Sequence, residues 1–323
     1  MDKTRNLITV LLLTYNSSWI KTKQTLLSII EQENVLLEII VSDDGSQENN
    51  FTNIQSFFSK HNFNNFKLVN NQKNQGTVKN ILSGLQVASG EYVKPISPGD
   101  FFYSKDSLQK AVSFIQKDNN SASAYFGKSA YYSQCNNTVL LDEEKSNPID
   151  IRPYLINDTQ EIKRNYFIRL DTILGASVIY KRDSFVNHLS YLSEFVTFAE
   201  DYSLISLLAN NETIKLLTDE KNDPFYFIWY ESDTGISTQK QSKWHTILFN
   251  ELNKTFKSLC DKKLISNGIY KANFSTSKIQ RFYYHLTKDM VFYIKNKFKK
   301  ASCIGWNNEK PDTLLITHLL EEQ

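Results

Sequence analysis

Residues 36–46 read Leu-Leu-Glu-Ile-Ile-Val-Ser-Asp-Asp-Gly-Ser. An apolar run, Leu36 to Val41, stops abruptly at two carboxylates and a glycine. A short, nearly continuous apolar segment bounded by turn residues is what a strand covered on both faces looks like, and such strands belong to parallel sheets. Working outward, Leu7 to Leu13 is a second run of this kind and ends at Thr14-Tyr15-Asn16. Lys21 to Gln32 between them reads as a helix, with Leu26, Leu27, Ile29 and Ile30 as its apolar positions. Phe51 to Lys60 reads as a helix and Phe66 to Val69 as a short third strand. In Thr77 to Ala88 the residues Val78, Ile81, Leu82, Leu85 and Ala88 recur near a 3.6 period, and Ser89-Gly90 supplies the stop. Tyr92 to Ile96 is a fourth strand, broken by Pro98-Gly99. The alternation predicts an α/β fold with a Rossmann-like, mainly parallel central sheet. Such sheets bind ligands beyond the carboxyl ends of their strands. Chemistry is therefore expected at Thr14-Tyr15-Asn16, at Ser42 to Ser46 and at Ser97 to Asp100.

Beyond residue 100 the pattern loosens. A helix is expected over Leu108 to Gln116, one or two strands over Ala122 to Val139, and an irregular loop over Asn147 to Lys163. Gly175 to Tyr180 reads as a strand leading to a helix near Asp183, and Phe198-Ala199-Glu200-Asp201 leads into a helix over Tyr202 to Ala209. Phe225 to Tyr230 is an aromatic strand, and from about Ser242 the pattern is helical throughout.

The 323 residues carry 37 Lys and Arg against 35 Asp and Glu, a formal charge of +2. That balance argues against a dedicated nucleic-acid binder, which needs a strongly basic domain. The charge is unevenly spread, however. Residues 240–323 hold 15 basic against 7 acidic side chains, a net +8, and residues 1–239 a net −6. The split coincides with the change to an all-helical pattern. It divides the chain into an expected α/β domain, 1–240, and a basic helical C-terminal extension, 241–323. With 41% hydrophobic residues a large core can form. The three cysteines, Cys135, Cys260 and Cys303, are too far apart for a metal knuckle or a disulfide framework, and a reducing compartment is the simplest reading. Leu7 to Leu13 is too short to span a bilayer and lacks a cleavage pattern.

Each strand end has a plain and a chemical reading. Asp43 and Asp44 fit an ordinary turn, or carboxylates that meet a base or ribose. Lys79, in the first turn after Asn74-Gln75-Gly76-Thr77-Val78, fits a solvated lysine, or a partner for a diphosphate beside a helix N-terminus. Asp100, after Ser97-Pro98-Gly99, fits a turn, or a ligand to a metal. Glu200-Asp201 at a helix start fits a cap, or a general base.

The order of these motifs is more specific than any one of them. Thr14-Tyr15-Asn16 follows strand one and Ser42-Asp43-Asp44-Gly45-Ser46 follows strand two. Then come Asn74-x-Gly76-x-x-x-Asn80 before a helix and Ala88-Ser89-Gly90-Glu91-Tyr92-Val93 at its end. The chain resembles the nucleotide-sugar domain of family 2 glycosyltransferases, the inverting GT-A type, over roughly residues 7–240. The later Glu-Asp pair and Gly235-Ile236-Ser237-Thr238 extend the likeness. The resemblance implies donor binding by Thr14, Tyr15, Asn16, Asp43, Asp44, Lys79 and Ser97. Within that set Tyr15 lies near the uracil of a UDP donor and Asp44 hydrogen-bonds the base. It implies Asp201 as the base that deprotonates the acceptor hydroxyl, with Glu200 beside it. It implies an acceptor border that includes Gly175 and Ala176, to which Trp229 is added as a sugar-stacking candidate against the commoner reading of a core residue. The family's Asp-x-Asp is degenerate here: Ser97 and Gly99 stand where carboxylates are usual, and Asp100 alone remains to hold Mn²⁺ or Mg²⁺. The degeneracy also motivates an alternative, a catalytically inactive nucleotide-sugar-binding or scaffolding homologue. By resemblance the acceptor is a saccharide or lipid-linked saccharide in bacterial surface polysaccharide biosynthesis, and the location is cytoplasmic, extending to the inner face of the plasma membrane.

In the extension Ile279, Phe282, Tyr283, Leu286, Met290, Ile294 and Phe298 recur at steps of three and four, with Lys288, Lys295, Lys297, Lys299 and Lys300 crowding the end. This amphipathic helix either packs on the catalytic domain, lies on an anionic membrane near a lipid-linked acceptor, or forms a homodimer. Packing is the favoured expectation.

Overall fold

The computed structural model describes residues 7–135, 138–141, 147–232, 242–283, 303–307 and 309–321. The first four strands are β1 (Leu7–Thr14), β2 (Leu36–Asp43), β3 (Phe66–Asn70) and β4 (Tyr92–Ile96). They alternate with α1 (Trp19–Ile30), α2 (Phe51–Lys60) and α3 (Thr77–Leu85). The later strands β6 (Ala124–Phe126), β9 (Val178–Lys181) and β10 (Ile214–Leu216) complete a seven-stranded sheet of order β10-β6-β9-β4-β1-β2-β3. All pairs are parallel except those of β9, which runs antiparallel to both β4 and β6.

The register explains where the loops converge. Thr14 pairs with Asp43, Asp43 with Asn70, and Leu12 with Ile96. The carboxyl ends of β1, β2 and β4 therefore share one edge of the sheet. Side chains alternate across each strand, so one face of the sheet takes Leu11, Ile40 and Val93 and the other takes Val10, Leu12, Ile39 and Val41. Residues of α3, Val78 and Ile81, cover the first face, and residues of α1, Leu26 and Ile29, the second. Two covered faces are what made these strands apolar throughout.

Three features differ from the expectation. Residues 147–163 hold two short helices, α5 (Arg152–Leu155) and α6 (Thr159–Arg164), where a loop is expected. Pro153 opens the first, and the Asp158 carboxylate caps the second by accepting the N–H of Gln160 and Glu161. Their shortness hides the 3.6 period. The expected strand from Gly175 begins only at Val178, because Gly175–Ser177 form a single tight helical turn. A second sheet, β5 (Phe101–Phe102), β11 (Tyr226–Glu231), β7 (Lys128–Cys135) and β8 (Thr138–Leu141), lies outside the expected single sheet. Its strands come from distant parts of the chain, and β5 is two residues long.

The remaining helices are α4 (Ser107–Lys117), α7 (Arg182–Leu192), α8 (Tyr202–Ala209), α9 (Ser242–Asp261), α10 (Asn267–Phe274) and α11 (Leu314–Glu321). The last three come from the basic extension, yet they join the same cores. Phe256 and Leu259 of α9 belong to the core on the Leu11 face, and Ile316 and Leu319 of α11 to the core on the Leu12 face. Each fully buried side chain of this size contributes about 1.5–3 kcal/mol. Residues 284–302, with Lys288, Lys295, Lys297, Lys299 and Lys300 and most of the apolar stripe, lie outside the described residues, as does Gly235-Ile236-Ser237-Thr238. No helix among the described residues is long and apolar enough to cross a membrane.

Candidate active site

The loops after β1 and β2 are bonded to each other. Asp43, buried, accepts the Thr14 hydroxyl at 2.8 Å, the Ser46 N–H at 2.8 Å and the Ser46 hydroxyl at 2.7 Å. Asn16 adopts a left-handed conformation, φ 46°, and its N–H donates to the Ser46 hydroxyl at 2.7 Å. Tyr15 is left half-exposed at the mouth, 49% accessible. The neighbouring carboxylate, Asp44, is also buried and accepts the backbone N–H of Gln75 at 3.0 Å and of Gly76 at 2.8 Å. Burial raises its pKa, and those two amides oppose the rise. Asp43 and Asp44 thus build the edge: the first joins β1 to β2, the second ties β2 to the start of α3. Asn80 completes the tie by exchanging hydrogen bonds with Ser42 at 2.7 and 3.0 Å. Lys79, on the same turn of α3, is exposed.

After β4 the chain turns sharply. Ser97 is exposed, its carbonyl accepts the Asp100 N–H at 3.0 Å, and Gly99 has φ +102°. A side chain at Gly99 has no room: its Cβ would lie 2.5 Å from Glu231 Oε2. Glu231, at the end of β11, thereby brings its carboxylate to the position where the family carries an aspartate. Its backbone N–H donates to Asp100 Oδ1 at 3.3 Å, and its two carboxylate oxygens accept from Lys21 Nζ at 2.7 and 2.6 Å. Asp100 itself is buried, and burial raises its pKa. These residues do not fit a divalent cation. Asp100 is one carboxyl with one oxygen already bonded, and the second nearby carboxylate already holds an ammonium. Among the described residues no group of three or more His, Cys, Asp or Glu side chains gathers as a metal site.

Glu200 and Asp201 sit at the start of α8, and Asp201 makes no side-chain capping hydrogen bond there. The plain capping reading thus finds no side-chain hydrogen bond to support it. Both acids have raised pKa values, caused first by burial. For Glu200 the charge of Asp201 adds to the rise, and for Asp201 the charge of Glu251 does so. Gly175 faces the pair: a Cβ there would lie 3.0 Å from the Asp201 Cβ and 3.2 Å from Glu200 Oε1. The acceptor-loop candidate and the candidate base are thus in contact. Ala176, the next residue, accepts Lys94 Nζ on its carbonyl at 2.7 Å. Lys94 is wholly buried, and also donates to the Pro95 carbonyl. Burial lowers its pKa, and the charges of Asp100 and Glu200 oppose that. A buried cation therefore lies in the field of both halves of the site.

Trp229 is a correction. It is fully buried, stacks on Tyr103 at 5.4 Å between ring centroids and meets Tyr132 edge-on at 6.4 Å. A ring with no exposed surface cannot meet a sugar, so this residue is core and not acceptor border. Four residues at the site went unread in the sequence: Lys21, Lys94, Glu231 and Glu251. Glu251, on α9, is buried, and its carboxylate accepts the backbone N–H groups of Thr197, Phe198 and Ala199 at 2.8, 3.2 and 3.1 Å. Two of the four carry a signal. Lys94 is a charge inside an apolar strand, and Glu251 is an acid in a helical stripe that continues through Thr255, Phe256 and Leu259. Such charges are retained where something pairs them.

With a bonded Asp-Asp loop at the ends of its parallel strands and an acid pair packed against Gly175, the chain is a glycosyltransferase of the GT-A fold. The chain belongs to glycosyl transferase family 2, whose family model matches residues 9–188. An uncharacterized glycosyltransferase of Haemophilus influenzae is 24% identical over 318 residues, covering 91% of this chain and 94% of that protein. S. aureus TarS 1-349, solved in complex with UDP-GlcNAc, superposes with a TM-score of 0.53 at 17% identity, over 90% of this chain and 73% of that one. The mannosyltransferase PcManGT from Pyrobaculum calidifontis, solved with GDP-Man and Mn2+, also has a TM-score of 0.53, at 14% identity, over 92% of this chain and 88% of that one. The two structures share the fold with this chain.

Proposed function

We propose that this glycosyltransferase moves a sugar from a UDP-linked donor to a saccharide or lipid-linked saccharide acceptor, with inversion, in bacterial surface polysaccharide assembly. The observation that carries the reading is Asp201: a half-buried carboxylate packed against Gly175, with no side-chain capping hydrogen bond. The nucleotide lies along Thr14–Asn16 and the Asp43-Asp44 loop, with Tyr15 as the exposed ring that stacks on the base. Lys79 and the start of α3 face its phosphates from one side, and Ser97 from the other. TarS in its complex with UDP-GlcNAc supports the choice of UDP. The acceptor enters over Gly175 and Ala176.

In the reaction the Asp201 carboxylate accepts the proton of the acceptor hydroxyl while that oxygen attacks the anomeric carbon. The bond to the nucleoside diphosphate breaks on the opposite face, so configuration inverts. Raising the pKa of Asp201 by burial makes the carboxylate a stronger base, provided the pH keeps it ionised. The charge of Glu251 adds to the rise. The thiol of Cys260, in no disulfide, fits a cytoplasmic location, and the net +8 of residues 240–323 fits attraction to an anionic membrane face.

The test is turnover of a panel of UDP- and GDP-sugars with saccharide and lipid-linked acceptors, with the product anomer assigned by NMR. Transfer from a UDP-sugar with inversion is expected. Asp201→Asn should lower kcat by about 10²–10⁴-fold, the range of general-base catalysis, while leaving nucleotide binding intact. Nucleotide-sugar binding with no transfer to any acceptor would replace this reading with that of an inactive binding homologue.

A further inference from the structure

The Gly99 turn raises a question of charge. A donor diphosphate brings negative charge to this edge, and the departing nucleotide gains more, so a cation has to face it. In this chain the carboxylates that would recruit a metal there are replaced by Ser97 and Gly99, and the Glu231 carboxylate fills the Gly99 position from another strand. Glu231 is not open to a dication, because both its oxygens bind Lys21 Nζ. Lys21 lies in the first turn of α1, directly after the Thr14–Asn16 donor loop. Its charge reaches the Asp100 carboxyl, which places the ammonium beside the degenerate motif and not merely near the surface.

The two sides of the ion pair are not equivalent. Glu231 is buried, with 6% of its side chain accessible, whereas Lys21 is 33% accessible. An ammonium has three N–H donors. Two point at Glu231, and no described residue takes the third. The pair is therefore a partly accessible cation fixed from behind by a buried carboxylate. That is the arrangement a metal ion has when protein carboxylates hold it and substrate phosphates complete its shell.

We propose that Lys21, oriented by Glu231, is the cation that meets the donor's diphosphate, and that nucleotide binding by this chain needs no divalent metal. The proposal rests on the reading of the site as a nucleoside-diphosphate site. Gly99 then has a reason: any side chain there would displace the carboxylate that holds Lys21.

The experiment is calorimetry of UDP and of GDP with the purified full chain, once in EDTA and once in MnCl₂. The expected result is UDP affinity equal within about twofold in the two conditions, and a loss of about tenfold or more for Lys21→Gln, the scale of one charge-assisted hydrogen bond. Lys21→Arg should keep most of the affinity, since the cation remains. Because Lys21→Gln takes the ammonium away from the buried Glu231 carboxylate, the double variant Lys21→Gln/Glu231→Gln is measured beside it, with thermal melting to establish folding. A folded double variant that still loses affinity supports the lysine. Wild-type binding that appears only with Mn²⁺, or Lys21→Gln binding like wild type, overturns it. Absence of binding of either nucleotide in both conditions removes the nucleoside-diphosphate reading itself, and the proposal with it.

Discussion

Glu251 holds Ala199 by its backbone N–H at 3.1 Å, and holds Thr197 and Phe198 in the same way. A carboxylate on α9 therefore sets the path of the segment that delivers Asp201, two residues further on. Through this one side chain the basic extension bears on the proposed catalytic acid. The variant Glu251→Gln keeps the shape but replaces one acceptor oxygen with a donor amide, leaving a buried N–H unpaired. A loss of about 1–3 kcal/mol in stability is expected, the desolvation cost of one such group, read by chemical denaturation. The kinetic signature is a lower kcat with little change in the donor's KM. An unchanged kcat would mean that the loop is held by other contacts.

The pH profile should carry the same relationship. Burial and the charge of Glu251 both raise the Asp201 pKa, while its own N–H and that of Tyr202 offset the rise only in part. A base works when deprotonated, so activity falls as pH drops through the raised value. The acid limb of kcat/KM should therefore lie above the ordinary carboxylate range near about 4. In Glu251→Gln one source of the rise is gone, and the limb should move to lower pH. A limb that stays in place would show that Asp201 does not titrate in the profile.

Gly175 makes a steric prediction. A Cβ would press on the Asp201 Cβ at 3.0 Å and on a Glu200 oxygen at 3.2 Å, closer than such atoms normally pack. The variant Gly175→Val should displace the acid pair and lower kcat by about tenfold or more, since small misplacements of reacting groups are costly. UDP affinity by calorimetry should be unaltered, because the donor loops lie on other strands. Weaker UDP binding would place Gly175 with the donor instead.

Lys94 tests the buried charge. It is fully buried and lies in the field of Asp100 and Glu200. Removing one partner of a buried ionic group costs about 3–5 kcal/mol, because the remaining charge is stranded. Lys94→Met should lose stability on that scale near pH 7, where the lysine still carries charge despite a pKa lowered by burial, and less at pH 5. The sign follows from the carboxyls: with pKa values raised by burial, they take up protons as pH falls and the stranded charge disappears. Equal losses at both pH values, measured by urea unfolding, would show that packing and not charge is what Lys94 supplies.

The sequence by itself determined the parallel half of the sheet and singled out the candidate places for ligand chemistry. Strands such as β1 and β2 are covered on both faces, so their apolar runs are continuous, and their carboxyl ends are marked by the first polar residues that follow. Thr14, Asp43, Asp44 and Asp100 were legible as candidates for that reason, and Asp201 as an acid at the start of a helix. The tertiary structure alone decided which carboxylate meets which amine. Lys21 and Glu231 are separated by 210 residues and Glu251 and Thr197 by 54. Such pairs obey no period, since a side-chain ion pair needs only that two strand or helix ends arrive at one edge. Trp229 shows the converse: its type suits sugar stacking, but burial in the second sheet, whose strands pair across the whole chain, gave it a neighbourhood of aromatic rings instead.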